Sequence, residues 1–381
     1  MDILNYTDGH KAFRQRLQEF CKQEIIPHVD QWEKDGVTPR EIWKKMGAEG
    51  FLCTWVDEKY GGLGGDFLYS VIALEELVRT NQYGLDAFLH SDIVTPYIAS
   101  FGNEEQREKY LPGCVSGECI TAVAMSEPDA GSDLASMTMT ALDDGDHVVL
   151  NGTKTFISNG LLCDVAVVAA IDPEESNRHH AVSLFLVDEG TPGFEKGKAM
   201  KKMGASSQDT AELFFRDCRI PQSNRLGEKG SGFPKLMVKL QQERLLVALN
   251  AVTRAEFVLE WTTKYCRENK SEGKPRSKFQ AVQFALVEMA TETRLGRAFL
   301  DKLIAGHMAG EDVNAETCMA KYWATDMAKR TANRCLDLVG LDATAESCPL
   351  ARMFRDIRVF PIFAGTNEVM KIVVSRSLGL G

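Results

Sequence analysis

The chain has 381 residues, 44% apolar and 26% charged, with a formal net charge of −10. These are ordinary globular proportions in a chain long enough for two or three packed units, and the acidic balance lacks the basic footprint of a nucleic-acid binder. No run of about 18 apolar residues occurs, so no membrane-spanning helix is expected. The stretch Met1–Arg16 is polar and carries acids, which fits neither a signal peptide nor a transit peptide and points to a cytoplasmic protein.

The first stretch, 1–118, reads as a helical domain. Phe13, Leu17, Phe20 and Ile25 recur at three- to five-residue steps, and Asp66–Arg79 and Asp86–Phe101 also read as helices. Between them lies Tyr60-Gly61-Gly62-Leu63-Gly64-Gly65. No strand pattern precedes it and its spacing is not that of a dinucleotide fingerprint, so it reads as a turn-rich loop.

The texture changes near Cys119, and 119–228 reads as an antiparallel β domain. Short β-rich runs follow at hairpin spacing, namely His147–Leu150, Lys154–Ser158, Asp164–Ile171, Ala181–Val187 and Ala211–Arg216. Asn-Gly at 151–152 and again at 159–160 predicts turns. From 229 to 381 the chain is helical again, with segments Phe233–Glu268, Ser277–Met308, Asn314–Val339, Leu350–Arg358 and Thr366–Leu378. Long helices in series suggest an antiparallel bundle. The expected class is α+β, with the domains in the order α, β, α.

Ten cysteines are scattered singly. The closest pair, Cys114 and Cys119, lacks CxxC spacing, and the seven histidines form no HxxxH pair. Reduced, mostly buried thiols and no metal site are expected.

Four places could carry chemistry. Glu243 falls on the apolar stripe of the long helix, with Phe233, Met237, Leu240, Val247 and Ala251. A carboxylate there is desolvated and its pKa raised, as suits a general base. A structural pair with Arg244 or another cation is the alternative. The segment Met125–Asp133 offers hydroxyls, glycine and backbone amides to a polar ligand, or is an ordinary loop entering the β domain. Phe156-Ile157-Ser158-Asn159-Gly160 could flank a flat ring, or is a hairpin with a buried Phe. Thr366 looks like a helix N-cap whose free amides could face a ligand, although every helix has a start.

Taken together and in order, these elements resemble the acyl-CoA dehydrogenase family over nearly the whole chain. The markers are Tyr60–Gly64, Ser126-Glu127-Pro128 with Gly131-Ser132-Asp133, and Asn151-Gly152-Thr153-Lys154 before Phe156-Ile157-Ser158. Met203-Gly204 with Asp209-Thr210, Arg355-Asp356 with Arg358, and Gly365-Thr366-Asn367-Glu368 complete them. The resemblance implies an N-terminal helical domain, a middle β domain and a C-terminal four-helix bundle. It also implies FAD, a homotetramer, and oxidation of an acyl-CoA thioester to the trans-2-enoyl-CoA in fatty-acid β-oxidation. A base removes the α proton while hydride leaves Cβ for flavin N5, and the electrons pass on to an electron-transferring flavoprotein.

Many members carry the base just before Gly-Thr near the C-terminus, where this chain has Ala364. The long-chain and isovaleryl types carry it on the long helix in a Glu-Arg-Leu context, and here Gln242-Glu243-Arg244-Leu245-Leu246 is similar to that. Likeness to the long-chain type extends to His90-Ser91 with Ile93-Val94, to Gln208–Phe215 and to Cys318–Ala324. The resemblance thus makes Glu243 the base. It implies cofactor contacts from Val123, Met125, Ser126, Gly131, Ser132, Phe156, Ile157, Ser158, Thr366 and Glu368, and substrate contacts from Ser132, Arg244 and the Ala364 backbone N–H.

Two segments depart from the family's pattern. Arg-x-x-Phe-Gly after the long helix reads Asn269-Lys270-Ser271-Glu272-Gly273, and Gln-x-x-Gly-Gly reads Asp337-Leu338-Val339-Gly340-Leu341. In the family both reach the ADP half of a neighbour's FAD, and one lost arginine with two added carboxylates opposes a pyrophosphate. Lys270, Lys274 or Arg276 could compensate. Otherwise a sister chain in a hetero-oligomer completes the site, or the chain is a non-catalytic acyl-CoA-binding scaffold. Asp92 interrupts an apolar helix. It is either a structural residue or a second base for a cyclic or unsaturated acyl group.

Overall fold

The helix Phe67–Arg79 is mostly apolar, and its acids Glu75 and Glu76 are neutralised by Arg14 and Arg297, so it can lie inside. In the computed structural model, which describes residues 3–380, its Leu68 and Ser70–Val78 are buried. Met1, Asp2 and Gly381, and the parts of the N-terminal and domain readings that rest on them, lie outside the described residues. The helix is α4 of an N-terminal set with α1 (Asp8–Phe20), α2 (Val29–Asp35), α3 (Arg40–Ala48), α5 (Thr95–Phe101) and α6 (Glu104–Ser116). Local side chains set their starts. Thr7 caps α1, Asp66 caps α4 and Asn103 caps α6, each accepting a free amide of the first turn. The expected helix Asp86–Phe101 opens instead as a π-helical turn, Leu89–Val94, before α5. Tyr60–Gly65 is a loop, with left-handed Gly61 and Gly64.

The sheet comprises β1 (Thr121–Ala124), β2 (Thr140–Asp144), β3 (His147–Ser158), β4 (Val165–Ile171), β5 (Val182–Asp188), β6 (Phe194–Lys196) and β7 (Thr210–Pro221), with the short helix α7 (Arg178–Ala181) before β5. Most ladders are antiparallel, and β1 with β4 is parallel. Every residue of β4 is buried. Val165, Val167 and Ala169 face the main core, and Ala166, Val168 and Ala170 face a second one inside the β domain.

The turn expected at Asn151-Gly152 is not there. The two runs around it form one twelve-residue strand, β3, whose register against β7 slips between Leu150 and Gly152 and again between Lys154 and Ile157. Gly152, at φ +150°, serves a bulge, and a Cβ there would lie 2.7 Å from Met139. Asn159-Gly160 does turn, with Asn159 at φ +57°.

The C-terminal part holds α8 (Gly232–Glu268), the small hairpin β8 (Lys270–Ser271) and β9 (Lys274–Pro275), α9 (Gln280–Met308), α10 (Asn314–Val339), α11 (Pro349–Ile357) and α12 (Asn367–Ser377). Helices α8, α9, α10 and α12 pack as a bundle, and α8 also packs on α4 and β5, which makes it the spine shared by all three parts. The segment before β7 wedges between the first and last parts. Gly84 and Gly204 permit this, because a Cβ would fall 2.1 Å from the Ser207 carbonyl oxygen or 2.5 Å from the Arg355 backbone.

Candidate active site

Midway along α8, Glu243 is buried. Its Oε2 has no hydrogen-bond partner among the described residues. The structural pair with Arg244 does not form, because that guanidinium turns to Asn314 Oδ1 at 3.4 Å and Cys318 Sγ at 3.6 Å. Burial pushes the Glu243 carboxyl up to about 7, against the opposing pull of the Arg244 and Lys321 cations. Tyr97 of α5 sits within the field of this carboxyl. Its phenol is buried without a partner among the described residues and is pushed up by burial and by Glu243.

Lys321 of α10 is fully buried. Its Nζ donates to the Gly365 carbonyl at 2.7 Å and to Asn367 Oδ1 at 3.3 Å. Asn367 in turn donates to the Tyr322 carbonyl at 3.2 Å and accepts from the Thr325 hydroxyl at 3.1 Å. These bonds fasten the turn before α12 to α10. Within it Ala364 and Gly365 are left-handed, at φ +54° and +87°. The backbone N–H groups of Ala364, Gly365 and Thr366 have no partner among the described residues. Thr366 caps α12, its Oγ1 accepting from the Val369 N–H at 3.2 Å. Consecutive free amides on such a turn form a cradle for an oxygen bearing negative charge. Glu368, on the first turn of α12, is exposed.

A second group forms where the chain leaves β1 beside the end of β3. Lys154, fully buried, donates to Glu127 Oε1 at 2.8 Å and to the Met125 carbonyl at 3.0 Å. Glu127 also takes the Thr138 and Met139 amides at 2.6 and 3.0 Å, and Thr155 N–H donates to the Ser126 carbonyl at 2.9 Å. Met125 and Ser126, half-buried, are thereby pinned against Thr155–Ser158. The Phe156 ring is 71% exposed, at φ +56° in the second bulge of β3. The alternative of a buried hairpin Phe is therefore excluded. A bulky residue in the left-handed region is strained, and such strain gathers at functional sites. Ile157 points into the β-domain core, so only its backbone is available to a ligand. Val123 and Ser158 are half-buried, while Gly131 and Ser132 lie exposed in the loop.

No hydrogen bond among the described residues joins the two groups. Both border the main apolar core, through Val123 and Met125 on one side and Phe363 and Ala364 on the other.

Asp92, in the π-helical turn beside α8, is buried and pushed up to about 7 by desolvation. Its Oδ1 accepts from the Ser70 hydroxyl at 2.6 Å, and its backbone carbonyl accepts from Gln242 at 2.6 Å. Eleven positions past Glu243 on α8, about three turns, Arg254 is also buried. It borders a cavity of about 20 Å³ with Asn250, Asp86, Gln82 and Tyr83. Burial raises Asp86 to about 7 and the adjacent Asp356 to about 6.

The two departing segments meet at one end of the bundle. Arg276 donates to the Leu338 and Val339 carbonyls at 3.1 and 3.3 Å, so it is committed to the end of α10. Lys270 and Lys274 are exposed, as are Glu272 at the hairpin tip, Asp337 and Leu341. Asn269 bonds back to the Tyr265 carbonyl at 3.0 Å. Sequence reasoning missed Lys321, Tyr97 and the Lys154–Glu127 pin. Lys321 had a signal of the same kind as Glu243, a charge on an apolar stripe with Cys318, Ala324 and Ala328.

Three family domains match the chain in order. They are the acyl-CoA dehydrogenase N-terminal domain over 7–118, its middle domain over 122–218 and its C-terminal domain over 230–379. The long-chain specific acyl-CoA dehydrogenase of Rattus norvegicus mitochondria is 43% identical over 374 residues, 98% of this chain and 87% of that one. The crystal structure of an acyl-CoA dehydrogenase from Geobacillus kaustophilus superposes with a TM-score of 0.97 at 51% identity, over 98% of each chain. Butyryl-CoA dehydrogenase from Megasphaera elsdenii superposes at 0.94 with 32% identity, over 98% and 99%.

Proposed function

The chain belongs to the acyl-CoA dehydrogenase family, whose members are FAD-dependent oxidoreductases, and we propose that in it Glu243 is the base that takes the α proton of an acyl-CoA thioester. The carrying observation is a buried carboxyl with an unpartnered oxygen, raised to about 7. It is basic enough to accept a proton at neutral pH and has no competing ion pair. A thioester α carbon is a weak acid, so its carbonyl must be polarised at the same time. The free N–H of Ala364 is suited to that role and needs no side chain. The loss of a carboxylate at Ala364 therefore leaves carbonyl activation intact, with the proton-accepting role moved to α8.

The residues also fit a flavin. Phe156 offers an aromatic face held outward by a strained bulge, and the pinned Met125–Ser126 backbone and Ser158 lie beside it. Val123, Gly131, Ser132, the Ile157 backbone, Thr366 and Glu368 would complete the holding set. FAD, when bound, accepts the hydride that leaves Cβ. Ser132 and Arg244 would meet the CoA portion. Arg276 is committed to α10, so Lys270 and Lys274 are the cations available to the ADP half. The carboxyl of Asp92 is engaged by Ser70, which favours a structural role over a second base.

Electrons would leave to an electron-transferring flavoprotein, in fatty-acid β-oxidation in the cytoplasm. A homotetramer is supported by the outer face of α9, where Phe284, Val287 and Leu295 are exposed. The test is the absorbance spectrum of the purified protein, before and after anaerobic addition of acyl-CoA thioesters. Long-chain thioesters come first, given the rat relative. Bleaching of a bound flavin by a saturated thioester supports the reading. Colourless protein that FAD does not reconstitute would overturn it.

A further inference from the structure

Lys321 has no place in the proton transfer itself, yet it is a fully buried ammonium on the helix facing Glu243. It joins two things the site must hold together. One is the turn bearing the free amides of Ala364–Thr366, which it grips through the Gly365 carbonyl and Asn367. The other is the ionisation of Glu243, which its charge favours. Building on the proposed role of Glu243, we propose that Lys321 is the positioning residue of this site, fixing the turn against α10 while its charge keeps Glu243 in the proton-accepting form.

The geometry explains why a lysine is found there. A buried ammonium is costly unless its donors are satisfied, and two are satisfied here by oxygens of the one turn. Its third asset is its charge, which no neutral donor would supply. Of the other groups around Glu243, Tyr97 from α5 is a neutral phenol and Cys318 from α10 a neutral thiol raised by burial. Arg244 on α8 is a second cation that favours the ionised carboxyl, more strongly than Lys321 does, but it bonds to Asn314 and Cys318, whereas Lys321 also grips the turn. Glu368 from α12 and Asp326 from α10 act on Lys321 itself and keep it charged. Burial lowers Lys321 to about 8, so the lysine carries its charge through the acid side of the range in which the base ionises.

The experiment is the pH profile of flavin reduction by a saturated acyl-CoA in the holoenzyme, followed anaerobically in a single turnover between pH 5.5 and 9. Lys321→Gln keeps a donor for the Gly365 carbonyl and removes the charge. Its acid limb should move up by about one pH unit, the effect of losing a nearby opposite charge. The rate should then fall about tenfold at pH 6 and recover toward that of the unmodified enzyme near pH 9. Lys321→Arg restores the charge and should return the limb. A uniform loss in Lys321→Gln at every pH, with the limb unmoved, would mean a purely structural lysine and would overturn the proposal. Should Lys321→Gln not fold, Lys321→Arg decides alone, because a limb displaced upward despite the retained charge contradicts it. Glu243→Gln separates the two readings. If that variant still reduces flavin, both fall together. If it is inactive while Lys321→Gln leaves the limb in place, only the role of Lys321 falls.

Discussion

Two buried carboxyls, one on α8 and one in the π-helical turn beside it, share a raised affinity for protons and differ in what faces them. Glu243 has an oxygen with no partner, whereas Asp92 accepts from Ser70. A free acceptor in a dry site is poised to take a proton, and a satisfied one is part of the frame. The folded chain prefers Asp92 protonated while the unfolded chain ionises it at the ordinary carboxylate value. Its contribution to stability is therefore fully present in acid and lost as pH rises through about 7. Asp92→Asn, neutral at every pH, should flatten that dependence. Its gain over the unmodified protein between pH 5 and pH 8 should be on the order of 2–3 kcal/mol, read from denaturant unfolding at the two pH values. Turnover of a saturated thioester should survive. Loss of turnover with unchanged pH-dependent stability would contradict the structural role. Glu243 was legible in the sequence because a charge interrupts an apolar stripe at helical spacing. Lys321 obeys the same rule on α10, but its hydrogen bonds reach a turn more than 40 residues away, and no local pattern carries that.

Among the elements, β3 shows where alternation misleads. Strict period-two patterning puts Phe156 on the same face as buried Lys154. The register slip between Lys154 and Ile157 turns Phe156 outward and leaves Lys154 inside with Glu127. The parallel pairing of β1 with β4 escaped for a related reason, since it joins strands some 40 residues apart with no pattern of its own to announce it. Helices α4 and α8 to α12 were read to within three residues, because caps and periodicity are local signals, whereas α2, α3 and α6 were read only as part of a helical stretch. The Lys154–Glu127 pair ties the Met125–Ser126 backbone to β3. Lys154→Met leaves Glu127 charged and buried, which should cost about 3–5 kcal/mol. It should also lower the flavin retained on purification, measured by the ratio of flavin to protein absorbance. A variant of undiminished stability and full flavin content would show that the pin holds nothing.

For the molecule as a whole, the α, β, α order was readable from texture, and α8 as a shared spine was not, since its contacts with α4 and β5 come from distant sequence. The outer face of α9, with Phe284, Val287 and Leu295 exposed, adjoins a groove of about 300 Å³ lined by Leu295, Phe299, Met319, Tyr322 and Trp323. Apolar surface of this extent on one bundle face is what the proposed homotetramer would bury. Leu295→Glu should shift the protein to a smaller species in sedimentation, with the flavin loosened if the neighbour contributes to its site. An unchanged sedimentation coefficient would place the interface elsewhere. The exposed Lys270 and Lys274 belong to the same question, because the hairpin carrying them lies at the end of the bundle, against α10. Replacing both by Ala should weaken flavin retention while leaving the fold intact by circular dichroism.

The most direct test of the central claim is anaerobic stopped-flow reduction of the flavin by a saturated acyl-CoA in Glu243→Gln beside the unmodified enzyme. The variant should keep its flavin and its affinity for the thioester while the reduction rate falls by at least about 10³-fold, within the range a positioned base contributes. Reduction at a near-normal rate would show that another group takes the α proton and that the buried carboxyl of α8 is not the base.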